Sequence, residues 1–253
     1  MRIAAIYDIH GNLPALEAVL DEVQAEKVDI IVVGGDVIAG PMPSESLTLL
    51  QTLDLPVHFI RGNSESEFLR CINGKAPGGI SAKADEVTRW TTKVMSKNQK
   101  QFIADWPATL ELKSDVFDSV CFCHATPHSD IRVFTQQTPY EILADIFEGI
   151  DTPLVVCGHT HMQFDLEVNG IRVVNAGSVG MPFGGTGAEW LILGDRIEFK
   201  HTNYDLSNAA NILNRSGYPE VDTFISGNLL SPPSRQKALA MLSQLENMQK
   251  DHK

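Results

Sequence analysis

The chain has 253 residues, 43% of them hydrophobic and 21% charged, with 20 Lys plus Arg against 32 Asp plus Glu and a formal net charge of -12. That composition excludes a disordered chain, and so acidic a balance excludes a general nucleic-acid binder, because phosphate backbones are repelled at long range. No apolar run approaches the roughly 18 residues of a membrane span, so neither a membrane nor a targeting segment is expected, and the expected location is cytoplasmic.

Residues 3–7, Ile-Ala-Ala-Ile-Tyr, read as a short core strand. Asn12 is placed to cap a helix with Pro14 close behind, and Leu13, Leu16, Val19, Leu20 and Val23 recur at helical spacing. Residues 28–33 form a continuous apolar run broken only by Asp29, the mark of a strand buried on both faces. A second helix is predicted over 44–52 and a third strand over 56–60, and this β-α-β-α-β order implies a mostly parallel inner sheet. From Glu65 to about Leu112 strand signals vanish. Helices are predicted there around 82–95 and 97–105 with a loop at 75–79, so the block of about 66–112 reads as a helical insertion or cap within a single domain spanning 1–253. Strands are then predicted over 116–123, 153–157, 164–168, 171–174, 189–193 and 197–201, with Asn169-Gly170 as a hairpin turn. A C-terminal helical tail of about 205–253 ends in an amphipathic helix over 236–249. Cys71, Cys121, Cys123 and Cys157 read as free thiols in a reducing compartment.

Five of these strands end in metal-ligand residue types. The first leads into Asp8, His10 and Asn12, the second into Gly35-Asp36, and the third into Arg61-Gly62-Asn63-Ser64-Glu65. The fourth ends at His124, and the fifth leads into Gly158-His159-Thr160-His161. Sites in open α/β sheets form outside the carboxyl ends of the strands, so parallel strands would gather all five clusters at one edge. Two carboxylates, one amide and four imidazoles suit transition metals better than a nucleophilic triad. Seven donors are too many for one tetrahedral zinc and enough for two ions sharing a carboxylate. Taken singly, each has a plain structural reading. Asp8 and Asp36 could be turn or cap residues, His10 or His124 a hydrogen-bonded core histidine, and Asn63 a turn residue. Their joint placement at strand ends is what points to a metal site.

At these residues the sequence resembles the calcineurin-like metallophosphoesterase superfamily, in particular its branch of small bacterial single-domain phosphoesterases. The resemblance rests on Asp8-x-His10, Gly35-Asp36, Gly62-Asn63, His124 and Gly158-His159-x-His161, in order. Gly40-Pro41 and the run Asn175-Ala176-Gly177-Ser178-Val179-Gly180 extend it to about residue 180. It implies a four-layer α-β-β-α sandwich of two mixed sheets flanked by helices, with the site at the C-terminal ends of the strands. It also implies two divalent transition-metal ions (Mn, Fe, Zn or Ni), one held by Asp8, His10 and His161 and the other by Asn63, His124 and His159, with Asp36 bridging. Asp36, His10 and Asn63 then belong to the catalytic machinery. A hydroxide between the ions would attack phosphorus in line.

Many relatives carry a histidine directly after Gly-Asn, where this chain has Ser64. Its loss removes an obvious general acid, roughly 10²–10⁴-fold in rate, and points toward diesters or good leaving groups. Ala176 stands where relatives often carry Pro, and Phe183 where they often carry Arg. The expected substrate contacts are Asn12, Arg61, Ser64, His128 and Ser178, although Arg61 could instead form a surface ion pair and His128 could be a solvated loop residue. The expected partner is a small phosphorylated substrate, with homo-oligomerisation open. The expected activity is that of a phosphodiesterase. The alternatives are a catalytically weak or inactive metal-binding scaffold, and a phosphomonoesterase or protein Ser/Thr phosphatase.

Overall fold

A computed structural model describes residues 1–76, 78 and 81–250. The elements run β1 (Ile3–Ile6), α1 (Leu13–Ala25), β2 (Ile30–Val33), α2 (Pro43–Gln51), β3 (Val57–Phe59), α3 (Asn63–Ile72), α4 (Ala82–Val94) and α5 (Lys97–Ala104). Next come β4 (Thr109–Ser114), β5 (Asp118–Cys123), α6 (Tyr140–Ile146), β6 (Leu154–Cys157), β7 (Phe164–Val168), β8 (Ile171–Asn175), β9 (Ala188–Leu193) and β10 (Ile197–Thr202). The chain ends with α7 (Leu206–Leu213), α8 (Val221–Phe224), a π-helical turn at Ile225–Leu229, and α9 (Arg235–Lys250).

Two mixed five-stranded sheets result, ordered β10-β9-β1-β2-β3 and β4-β5-β6-β8-β7. Within the first, β1, β2 and β3 are parallel; within the second, β5, β6 and β8 are parallel. The period-two geometry of a strand sorts the β1 side chains onto two faces. Ile3 and Ala5 pack with Val120, Phe122, Leu154 and Val156 in the core between the sheets. Ala4 and Ile6 face Leu16, Val19, Leu47 and Leu50 of the helices on the outer side. On the far side of the second sheet, Val155 and Val173 pack on Leu143, Ile146 and Phe147. The four layers are therefore helix, sheet, sheet, helix.

Local signals account for several boundaries. The Asn12 side chain accepts the Ala15 N–H at 3.3 Å, capping α1, and Pro14 occupies its first turn. Asn169 and Gly170 have φ of 53° and 77°, the left-handed pair that a tight hairpin between β7 and β8 requires. Two readings of the sequence need correction. Strand signals do not vanish up to Leu112, because Thr109–Ser114 forms β4 at the sheet edge, antiparallel to β5. The strand expected over 116–123 begins at Asp118, after the turn that joins it to β4. Helix α3 starts at Asn63 itself, so the third strand hands its donor directly to a helix N-terminus. Of the loop expected at 75–79, Pro77 and Gly79 lie outside the described residues. All four cysteines are free, with Cys123 and Cys157 buried. No helix among the described residues is long and apolar enough to cross a membrane.

Candidate metal centre

The ladder between β1 and β2 continues beyond the strands. Amides of Asp8, His10 and Gly11 donate to the carbonyls of Gly35, Asp36 and Val37 at 3.1, 2.8 and 2.8 Å. In the other sheet Gly158 N–H donates to the His124 carbonyl at 2.8 Å. These bonds fix the donor-bearing loops against one another. The turns themselves are sharp: Asp8, His10, Asp36, His159 and His161 all have φ between 49° and 66°. Non-glycine residues seldom adopt that region, and it recurs where surrounding structure holds a functional site in place. Two glycines permit the closest approach. A Cβ on Gly35 would lie 2.4 Å from Gly62 N, and one on Gly62 would lie 2.3 Å from Asp36 Oδ1.

The donors converge. His10 Nε2 lies 3.1 Å from His161 Nε2 and 3.8 Å from both Asp8 Oδ1 and Asp36 Oδ2. His124 Nε2 lies 3.0 Å from Asn63 Oδ1, 3.6 Å from Asp36 Oδ1 and 3.9 Å from Asp8 Oδ1. The Asp36 carboxylate thus turns one oxygen to His10 and the other to His124. Two compact groups result, Asp8–His10–His161 and Asp8–Asp36–His124, with donor atoms in each within 4.8 Å of one another. His159 belongs to neither, but its ring meets that of His124 edge-on at 5.1 Å and its amide donates to Asp8 Oδ2 at 2.8 Å.

Whether this set fits cations is decided by its outward bonds. Nδ1 of His10, His124 and His161 faces the carbonyls of Ala39, Gly34 and Met181 at 3.0, 2.9 and 2.9 Å. A carbonyl only accepts, so each Nδ1 carries a proton and each ring turns its Nε2 to the centre. Burial would lower the His124 pKa, but Asp36 and Asp8 outweigh it and raise it. Asp8 Oδ1 is buried and makes no hydrogen bond, although His161 Nε2 is 3.3 Å away. Burial would raise the Asp8 pKa, but His161 and His124 outweigh it and hold the carboxyl well below its usual range. Asp36 is lowered likewise, burial being overcome by His124 and His10. Burial, and then His124, depress His159 to about 4, while His10 is lowered by burial and His161. Carboxylates and inward-facing imidazole nitrogens packed this closely, with Asp8 Oδ1 left unpartnered, are what divalent cations satisfy, so the residues fit them.

Glu65 is the residue that sequence reasoning gave no role. It is fully buried, and Oε2 accepts the amides of Asp36 and Gly62 at 2.8 and 2.9 Å. Its Oε1 accepts those of Val37 and Ile38 at 2.9 and 3.3 Å, and the Ser64 hydroxyl at 3.2 Å. One carboxylate therefore ties the Asp36 loop to the start of α3. Burial and the charge of Asp36 push its pKa up, while the amide donors pull against them. Locally Glu65 only reaches back to the amide of Gly62 at the start of α3, and the contacts with residues 36–38 leave no local trace.

The expected substrate contacts separate. Asn12 and Ser178 are fully buried: Asn12 donates to the Gly180 carbonyl at 3.0 Å, and Ser178 donates to the Asp8 carbonyl at 2.7 Å. Both side chains hold the turns behind the donors. Ser64 lines a cavity of about 340 Å³ together with His10 and Asn63. Arg61 and the exposed His128 line another, of about 230 Å³, together with His124.

Residues 1–194 match the family model described as the calcineurin-like phosphoesterase superfamily domain. The uncharacterised protein MJ0912 of Methanocaldococcus jannaschii is 28% identical over 240 residues, covering 86% of this chain and 94% of that one. The crystal structure of a metallophosphoesterase from Sphaerobacter thermophilus is 27% identical with a TM-score of 0.69, over 89% of this chain and 98% of that one. The hypothetical protein PH1004 from Pyrococcus horikoshii OT3, at 18% identity, shares the fold with a TM-score of 0.75, over 88% and 97% of the two chains.

Proposed function

Because the chain belongs to the calcineurin-like phosphoesterase superfamily, and is thereby a metal-dependent hydrolase of phosphate esters, we propose that it is a phosphodiesterase working with two divalent transition-metal ions. Asp8, His10 and His161 hold one ion, Asn63, His124 and His159 hold the other, and Asp36 bridges them. Ions bound there supply Lewis acidity to the phosphoryl oxygens and lower the pKa of water between them. The observation that carries the two-ion reading is the Asp36 carboxylate, whose oxygens lie 3.8 Å from His10 Nε2 and 3.6 Å from His124 Nε2, between two donor groups.

The remaining roles belong to this chain's own side chains. Glu65 keeps the Asp36 and Asn63 loops at fixed separation, and the outward carbonyl bonds keep the imidazoles aimed inward. The Arg61 guanidinium makes no hydrogen bond or ion pair with the described residues and lines the cavity beside His124, so it is available to a phosphoryl oxygen. The preference for diesters rests on the groups beside Asn63. Ser64 gives its hydroxyl to Glu65, and Lys83 in the adjoining cavity is paired with Glu220 at 2.8 Å. Neither is poised to protonate a poor leaving group, which favours esters whose leaving group departs unaided.

The test is to strip the protein of metal, restore Mn²⁺, Fe²⁺, Zn²⁺ or Ni²⁺ singly, and assay bis(p-nitrophenyl) phosphate against an alkyl phosphomonoester. Faster diester turnover that disappears in Asp36→Asn is expected. Faster turnover of the alkyl monoester would overturn the diester reading. No turnover with any ion would favour a metal-binding scaffold.

A further inference from the structure

We propose that the cavity between α4 and the segment 218–228 receives the organic half of the substrate, and that it selects an uncharged or cationic ring-bearing group against one carrying a second anion. The inference rests on the phosphate-ester hydrolase reading and adds the class of ester.

The cavity, of about 340 Å³, has one wall made by His10, Asn63 and Ser64, so it opens directly on the metal edge. Its other walls come from Ala84 and Val87 of α4 and from Tyr218 and Phe224 of the tail. The family match ends at residue 194, so the tail wall lies beyond the part of the chain that matches the family domain. The phosphate is thus handled at the metal edge, and whatever is attached to it meets one wall inside the matched domain, from α4, and one beyond it, from the tail.

Those walls are largely apolar. Tyr218 meets Trp90 edge-on at 5.4 Å and Phe224 at 6.3 Å, within a cluster that includes Val87 and Met181. Asn228 reaches the cavity from the π-helical turn, a conformation that gathers at functional sites. Its side-chain amide and the Tyr218 hydroxyl make no hydrogen bond with the described residues, and burial pushes Tyr218 up to about 12, leaving it a neutral phenol. A flat group with polar edges would find an aromatic wall and two free hydrogen-bonding groups.

Charge sets the exclusion. Glu67 and Glu220 both line the cavity, and the cations beside them are already committed, Lys83 to Glu220 at 2.8 Å and Arg70 to Glu67 at 3.5 Å. A second phosphate or carboxylate would lose water beside two carboxylates whose cations are already taken.

The experiment titrates the manganese-loaded protein calorimetrically with methylphosphonate, benzylphosphonate and (4-carboxybenzyl)phosphonate, alongside turnover of bis(p-nitrophenyl) phosphate. Benzylphosphonate is expected to bind at least tenfold tighter than either of the others. Val87→Asp should abolish the benzyl advantage while keeping the methylphosphonate affinity, which reports an intact centre. In the double variant Glu67→Gln, Glu220→Gln, which also frees Lys83 and Arg70, the carboxybenzyl penalty should fall below about threefold. Equal affinities for the three phosphonates, with diester turnover present, would overturn the inference and leave the hydrolase reading standing. Absence of both phosphonate binding and turnover would sink the hydrolase reading, and the inference with it.

Discussion

Replacing Glu65 by Gln changes one atom in the interior, and the structure specifies the consequence. Each carboxylate oxygen accepts two backbone amides, those of Asp36 and Gly62 on one side and those of Val37 and Ile38 on the other. A carboxamide keeps one acceptor oxygen. Whichever way it turns, its NH₂ confronts two N–H donors, and two bonds to a charged group are lost. At about 1.5–3 kcal/mol each, the variant should lose roughly 3–6 kcal/mol of stability. For a chain of this size that corresponds to a melting temperature about 10–20 °C lower. Because two of those amides belong to Asp36 and to the glycine before Asn63, manganese affinity should fall about 10- to 100-fold as well. Scanning calorimetry of the metal-free protein and a manganese titration measure both effects. An unchanged melting temperature together with unchanged affinity would refute the reasoning, since Glu65 would then be held as a neutral acid that glutamine imitates.

Gly62→Ala places a Cβ 2.3 Å from Asp36 Oδ1 and 2.6 Å from its amide nitrogen, so diester turnover should drop at least 100-fold, and retention of a tenth of wild-type activity would count against the packing described. Saturating manganese, at about 100 times its dissociation constant, should stabilise the wild type by about 2.7 kcal/mol, and Asp8→Asn should erase that thermal shift. Burial pushes Glu189 up to about 7 from an ordinary value of 4.5, with Oε2 buried and unpartnered. A raised folded-state pKa means that its contribution is complete below about 4.5 and is lost as pH rises through 7. Between pH 5.5 and 8 the wild type should therefore lose about 2 kcal/mol more than Glu189→Gln in urea unfolding, and parallel pH profiles would exclude it.

The centre was legible in the sequence because its chemistry is carried by residue types at strand ends. Asp8, Asp36, His124 and His161 each come after a short apolar run, and parallel pairing is enough to bring such ends together. The supports of the centre were less legible. Asn12 and Ser178 have polar side chains that face inward to backbone carbonyls, and nothing in their neighbourhood distinguishes that use from contact with substrate. Glu65 acts on amides 27 to 29 positions earlier, a relation set by the packing of α3 and not by spacing. Strand β4 alternates Leu110 and Leu112 with polar residues, a readable pattern, but it directly succeeds helices and lies at a half-exposed edge.

The left-handed turns at Asp8, His10, Asp36, His159 and His161 bear on how this protein tolerates sequence drift. Asp, Asn and His are the side chains that enter that region most readily after glycine, and they are also good donors to cations. Backbone shape and coordination chemistry therefore draw on one small alphabet. A descendant that had abandoned hydrolysis but kept the architecture would be expected to show asparagine or glycine at these five places, and seldom valine or isoleucine, because the turn outlives the need for the ion.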